Sequence, residues 1–315
     1  MPSGEGAGTD AGHGAPYPVV LFVSGFQARS HYYKAYAHFL ASWGYVVVQY
    51  DAPWLRIIED STELAFLDGL LKKLRADSQA AASPLYQRLD LARLGVAGHS
   101  RGGKLAALHF ARDQRIAAAY LLDPVDNTAR TPESEAYPSA VKALVRCGRA
   151  IGISGAAQTG NCNPKDSTSR AFYQAAGNGS WLLVPACSCH TGFLDAGLLL
   201  NRALDCLCCA ACGRGTASRQ DTLALTRPAL LAWLERRLRP DAPGGEAAQL
   251  EFAAWLRAQH AAGAVSFEFK GQPLPSAGVA GSSEELQGNI VSLAGQQQYP
   301  GQSETTGAEP QSERV

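Results

Sequence analysis

The chain has 315 residues, 46% hydrophobic and 18% charged, enough apolar material for one large α/β domain or two smaller ones. No run of 18 apolar residues occurs, which excludes a membrane-spanning helix of ordinary length. The zero net charge hides a balance of +6 over residues 1–240 and −6 over 241–315, too thin a positive footprint for nucleic acid, though compatible with peripheral contact at an anionic membrane surface.

The opening MPSGEGAGTDAGHGAPYP has neither the apolar centre of a signal peptide nor the Arg/Ser richness of a transit peptide, and residues 1–15 read as a flexible leader. The first strand-like run starts at Tyr17, abruptly for so large a domain, as though a targeting segment or one or two strands stood upstream. YPVVLFV (17–23) is a strand and HYYKAYAHFLASW (31–43) has helical spacing. GYVVVQY (44–50) is a strand, and DSTELAFLDGLLKKL (60–74) is a helix opened by Asp60 or Ser61 with Glu63 in its first turn. RLGVAGH, IAAAYLL (116–122), RAIGISG (149–155) and SWLLVP (180–185) are further strands, the last being the final one of this type. GGKLAALHFARD follows the first of these as a helix.

QDTLALTRPALLAWLERRL (220–238) is a long helix that Pro228 should kink or interrupt, and EAAQLEFAAWLRAQHAA (246–262) adds an outer helix. Continuous apolar strands alternating with helices imply a mostly parallel sheet with helices on both faces, over residues 16–270. From residue 271 the composition turns to Gly, Ser, Gln and Glu, and 271–315 reads as a disordered acidic tail.

In a parallel sheet, ligands gather at the carboxyl ends of the strands. Ser100 stands at one such end, inside GHSRG, which fits G-x-S-x-G. Gly98 and Gly102 suit a turn so tight that a neighbouring Cβ would clash, and the elbow lifts the hydroxyl to a helix N-terminus. A serine so placed needs a histidine base oriented by a carboxylate. His109 lies in the following helix and His260 in the outer one, whereas His190 follows the last parallel strand by a few residues. For the acid, Asp123 ends IAAAYLL and is favoured, while Asp166 lies in the loop after RAIGISG as its rival. The oxyanion donors expected are the amides of Arg101, next to the nucleophile, and Phe26, in VSGFQ. The Arg101 side chain either anchors the elbow by a salt bridge or faces a polar substrate group.

Taken together, GHSRGGK, LLDPV, SCHTGFLD and CLC resemble the chlorophyllase family over roughly residues 17–240. The resemblance implies the α/β-hydrolase fold, a Ser100–Asp123–His190 triad without cofactor, and hydrolysis of the phytyl ester of chlorophyll to chlorophyllide and phytol. The partner implied is chlorophyll or a related phytylated tetrapyrrole, and the location implied is the chloroplast. The chain departs from the family pattern at Ser24, where histidine is usual, and in the cysteine-rich CLCCAAC.

Phe193, Leu194 and Leu198–Leu200 are candidates to receive a long alkyl chain, and Phe26, Tyr32, Tyr33 and Tyr36 to stack on a flat macrocycle, although such runs also suit a core. A broad carboxylesterase, lipase or polyester hydrolase would share the triad, whereas a non-catalytic binding protein of the same fold would lack a member of it. All eight cysteines lie beyond residue 146; Cys187, Cys189, Cys206, Cys208, Cys209 and Cys212 suit local disulfides or free thiols better than zinc, because only Cys209 and Cys212 form a knuckle. No metal is expected at the site.

Overall fold

The computed structural model of the chain describes residues 14–53, 57–195, 212–213, 215–243 and 245–271. The apolar runs form β1 (Tyr17–Val23), β2 (Val46–Gln49), β3 (Leu89–His99), β4 (Ile116–Leu122), β5 (Gly152–Ser154) and β6 (Trp181–Pro185). These are joined by β7 (Val265–Phe269) in one sheet of order β2-β1-β3-β4-β5-β6-β7. The pairs from β2 to β6 are parallel and β7 runs antiparallel to β6. A seven-residue stretch such as β1 is apolar throughout because both of its faces are covered. Val19, Leu21 and Val23 enter one core, and Val20 and Phe22 the other.

Helices α2 (Asp60–Gln79), α3 (Arg101–Arg112), α4 (Ala140–Cys147) and α5 (Ser169–Ala175) cover the first face. Helices α1 (Lys34–Ser42), α6 (Arg219–Leu238) and α7 (Gly245–Ala261) cover the second. The stretch expected as one helix from residue 31 begins as a 3₁₀ turn, Ser30–Tyr33, and only then becomes α1. α2 starts at Asp60 as expected, but no side chain caps it: Asp60 and Glu63 face Arg101 instead.

Of the two outcomes expected at Pro228, a kink or an interruption, the interruption does not occur: α6 runs from Arg219 to Leu238 with Pro228 inside it. The missing N–H and the ring weaken the ladder one turn earlier. There Thr226 Oγ1 donates to the Thr222 carbonyl at 2.8 Å and Arg227 Nε to that of Leu223 at 3.2 Å. Buried Leu223, Thr226, Ala229, Leu230 and Trp233 hold both halves of the helix against the sheet. Packing therefore overrides the local break.

Strand β7 was not anticipated from the sequence. It seats Val265 opposite Pro185 and Phe269 opposite Trp181. The Trp181 ring lies 4.9 Å from Trp233, 5.4 Å from Phe252 and 5.9 Å from Phe267, so β6, α6, α7 and β7 meet on one side chain. Residues 1–13 and 272–315, which contain nearly all of the expected leader and of the expected tail, lie outside the described residues.

A chain ending at Gly263 loses β7 and with it the buried Val265 and the outer pairing of β6. Losing roughly 2–3 kcal/mol in this way should lower the thermal midpoint by about 5–10 °C relative to a chain ending at Gly271. Circular-dichroism melts compare the two, and equal midpoints would show that β7 adds nothing.

Candidate active site

The register of the sheet brings five loops to one edge: Val23 pairs with Gly98, His99 with Leu122, Leu122 with Ser154, and Ser154 with Leu183. Each residue of interest leaves the sheet within a few positions of these pairs.

Ser100 follows β3 at φ 58° and ψ −126°, a strained conformation for a residue with a side chain. Its amide donates to the Leu122 carbonyl at 3.0 Å, and its carbonyl accepts from the Val125 amide at 3.2 Å. A Cβ on Gly98 would strike the Gly102 backbone, and one on Gly102 the carbonyls of Val23 and Ser24, so both glycines are required by close approach. α3 starts at Arg101 with its N-terminus against the serine.

The Arg101 side chain is an anchor. Nε donates to Asp60 Oδ1 at 2.8 Å, Nη1 to Glu63 Oε2, and Nη2 to the Ile58 carbonyl at 2.8 Å. Burial works against its charge, but Glu63 and Asp60 outweigh that and hold its pKa above the ordinary guanidinium value. Lys104, one turn on and only 2% exposed, sits 2.9 Å from Asp60 Oδ2 and 3.8 Å from Asp126 Oδ1. The alternative in which Arg101 reaches a substrate is not the arrangement observed.

Asp123 follows β4 and is fully buried. Its Oδ2 accepts from His190 Nδ1 at 2.6 Å and from Asn163 Nδ2 at 3.0 Å, while Oδ1 accepts from the Ala156 amide at 2.9 Å. Ser100 Oγ lies 2.9 Å from His190 Nε2. A carboxylate only accepts, so Nδ1 carries the proton and Nε2 is left to receive the one on Ser100. Ser100, His190 and Asp123 thus form one hydrogen-bonded line. Asp166 is instead exposed on a 3₁₀ turn, Lys165–Ser167.

Asn163 escaped the sequence reading, since nothing in NCNPKD marks it apart from other loop asparagines. His109 is buried in α3 beside Arg112, and His260 Nδ1 meets the Val265 carbonyl at 3.0 Å; neither belongs to the site.

On the neighbouring loop, an added Cβ on Gly25 would lie 3.3 Å from Ser100 Cβ. The Gly25 amide donates to Tyr33 Oη at 3.0 Å, whereas no partner among the described residues engages the Phe26 amide. This loop borders a shallow groove lined in part by Phe26, Arg29, Tyr50, Ile57, Glu63 and Arg101.

Two expectations are corrected. Phe193 and Leu194, read as a lining for an alkyl chain, are 0% and 1% exposed and belong to the core under the site, where Phe193 stacks on His99. Tyr33 and Tyr36 are likewise fully buried, with hydroxyls bonded inside the protein, so neither offers a face to a macrocycle. Leu198 lies outside the described residues. Cys212 pairs with Cys162, 50 residues away, and a cysteine in a disulfide is lost to the zinc knuckle. Cys147, Cys187 and Cys189 are free, and Cys206, Cys208 and Cys209 lie outside the described residues.

A mostly parallel sheet with helices on both faces, carrying a serine elbow at a strand end, defines an α/β-hydrolase fold. Among solved structures, the ferulic acid esterase from Streptomyces cinnamoneus shares that fold at a TM-score of 0.54 and 22% identity, over 80% of this chain and 74% of its own. The search of curated proteins returned no match. The chlorophyllase family profile matches residues 9–247, well over half of the sequence, and the chain belongs to that family. It is a carboxylic ester hydrolase.

Asp123→Asn should keep the fold and lower kcat by about 10⁴, the size expected when a triad carboxylate is lost. Asp166→Asn should stay within roughly tenfold of the parent, as befits an exposed loop residue. Turnover of one soluble ester by the folded variants tests the ranking, and the reverse order would move the acid to Asp166.

Proposed function

We propose that Ser100 is the nucleophile, His190 the general base and Asp123 the residue that orients it, in hydrolysis of the phytyl ester of chlorophyll or a related tetrapyrrole. The observation that carries the chemistry is the line Ser100 Oγ–His190 Nε2 at 2.9 Å and His190 Nδ1–Asp123 Oδ2 at 2.6 Å. Family membership supports the substrate.

Ser100 Oγ attacks the ester carbonyl carbon while its proton passes to His190 Nε2. The imidazolium that forms is stabilised by Asp123, whose two other donors keep the carboxylate aimed at Nδ1. The carbonyl oxygen gains negative charge between the amides of Phe26 and Arg101, with the N-terminus of α3 behind them. Collapse breaks the bond to the alcohol, and His190 returns the proton so that phytol leaves. Water, deprotonated by His190, then attacks the acyl-enzyme to give a second tetrahedral intermediate, whose collapse breaks the bond to Ser100 Oγ; the serine takes the proton back from His190 and chlorophyllide is released. The chemistry requires no metal. The same reading puts the protein to work in the chloroplast, where its substrate resides.

Incubation with chlorophyll a and pheophytin a, with phytol release followed by chromatography, tests the substrate, and p-nitrophenyl butyrate serves as the soluble comparison. Turnover of the butyrate without phytol release would favour a broad carboxylesterase. Ser100→Ala should lower turnover of either substrate by several orders of magnitude and abolish labelling by a serine-directed phosphonate, leaving on the order of 10³-fold catalysis over water. Exhaustive EDTA treatment should leave the rate unchanged; a fall reversed by added zinc would contradict the mechanism.

A further inference from the structure

His99 precedes the nucleophile, yet it is no member of the hydrogen-bonded line from Ser100 through His190 to Asp123. Its ring is 3% exposed and lies 4.7 Å from that of His190. Burial, and then the nearness of His190, hold its pKa well below the ordinary histidine range, so the ring is neutral and carries one N–H.

The neighbours decide which nitrogen carries the proton. Nε2 lies 3.0 Å from the His190 backbone carbonyl, which only accepts, so Nε2–H donates there. Nδ1 is then an acceptor, and Tyr33 O–H donates to it at 2.9 Å. The Tyr33 oxygen in turn accepts from the Gly25 amide at 3.0 Å. A single tautomer therefore satisfies a directed chain that runs from Gly25 N–H through Tyr33 and His99 to the carbonyl of His190.

Both ends of this chain lie on functional loops. Gly25 immediately precedes the Phe26 amide, on the loop after β1. His190 carries the proposed base, on the loop after β6, and three strands separate β1 from β6 in the sheet. Phe22 packs against Tyr33 at 5.1 Å and Phe193 stacks on His99 at 5.8 Å, fixing both rings from the core side.

We infer that Tyr33 and His99 are positioning residues that set the oxyanion loop and the His190 loop at their working separation. This rests on the reading of Ser100 as nucleophile and His190 as base. A misplacement of about 1 Å between donor and base costs on the order of 10²-fold in rate without weakening ground-state binding. The signature of such a role is a fall in kcat at constant KM, matched by a fall in the rate at which Ser100 is phosphonylated.

The test uses Tyr33→Phe, His99→Phe and His99→Gln in the full chain, with p-nitrophenyl butyrate, a serine-directed phosphonate and a thermal melt. Tyr33→Phe and His99→Phe should lower kcat about 10–100-fold with KM within roughly threefold, and phosphonylation should slow by the same factor. The glutamine amide nitrogen reaches the place of Nε2 but leaves Tyr33 without its acceptor, so His99→Gln should recover only part of the loss seen in His99→Phe. Should His99→Phe fail to fold, Tyr33→Phe and His99→Gln decide. The inference is overturned if folded Tyr33→Phe keeps kcat and phosphonylation within twofold of the parent, or if KM rises while kcat stays. Ser100→Ala separates the two levels. Retained turnover there defeats the nucleophile reading, whereas an inactive Ser100→Ala beside a fully active Tyr33→Phe defeats only the positioning role.

Discussion

The backbone of Ser100 is the constraint on which the site depends. Holding a serine at φ 58° and ψ −126° costs on the order of 1–3 kcal/mol, so its surroundings must leave no cheaper place for it. The Leu122 carbonyl and Val125 amide fix its peptide groups, and Gly98 and Gly102 let three backbones meet without an intervening Cβ. Beneath the turn, Arg101 and Lys104 are paired with Asp60 and Glu63 in the interior. These pairs tie the first turn of α3, directly after the serine, to α2, and removing one partner of a buried pair costs about 3–5 kcal/mol. That penalty exceeds the strain, and the serine stays raised.

The sheet does not serve the three aligned residues equally. Ser100 and Asp123 follow adjacent strands in register, so their separation is as rigid as the pairing of β3 with β4. His190 comes five residues after the end of β6 and depends on contacts made by its loop. Asp123 borrows part of its orientation from Asn163, itself on a loop. The Cys162–Cys212 disulfide joins the residue before Asn163 to a segment that reaches the histidine loop, where the Ala217 amide donates to the Cys187 carbonyl at 3.2 Å. A covalent tie is thus placed where strand pairing is absent.

This division also separates what the sequence made legible from what it did not. IAAAYLL predicts β4 residue for residue because a strand covered on both faces must be apolar throughout. The elbow is equally legible, since its glycines answer a local steric demand. VSFEF, by contrast, is five residues at the edge of the sheet, too short for its half-buried pattern to stand out, and the short α4 and α5 pass unnoticed for the same reason. The hydrogen bonds that complete the site join residues 40, 66 and 91 positions apart, and no local pattern encodes them. The tyrosines misled in another way. An aromatic run beside an oxyanion loop suits a stacking surface or a core, and only the turn of the backbone at Ser30–Tyr33 sends Tyr33 inward.

Once Tyr33, Tyr36, Phe193 and Leu194 are assigned to the core, apolar surface beside the elbow has to be sought elsewhere. Phe26 is 51% exposed and Ile57 65%, and both border the groove that Arg101 and Glu63 also line. Those two charges satisfy one another and are held from behind, Glu63 Oε1 by the Tyr50 hydroxyl at 2.7 Å and Arg101 by the Ile58 carbonyl. Under the proposed reading the paired Arg101 and Glu63 need no partner from an uncharged ester, and the exposed Phe26 and Ile57 beside them are the apolar side chains offered to its hydrocarbon.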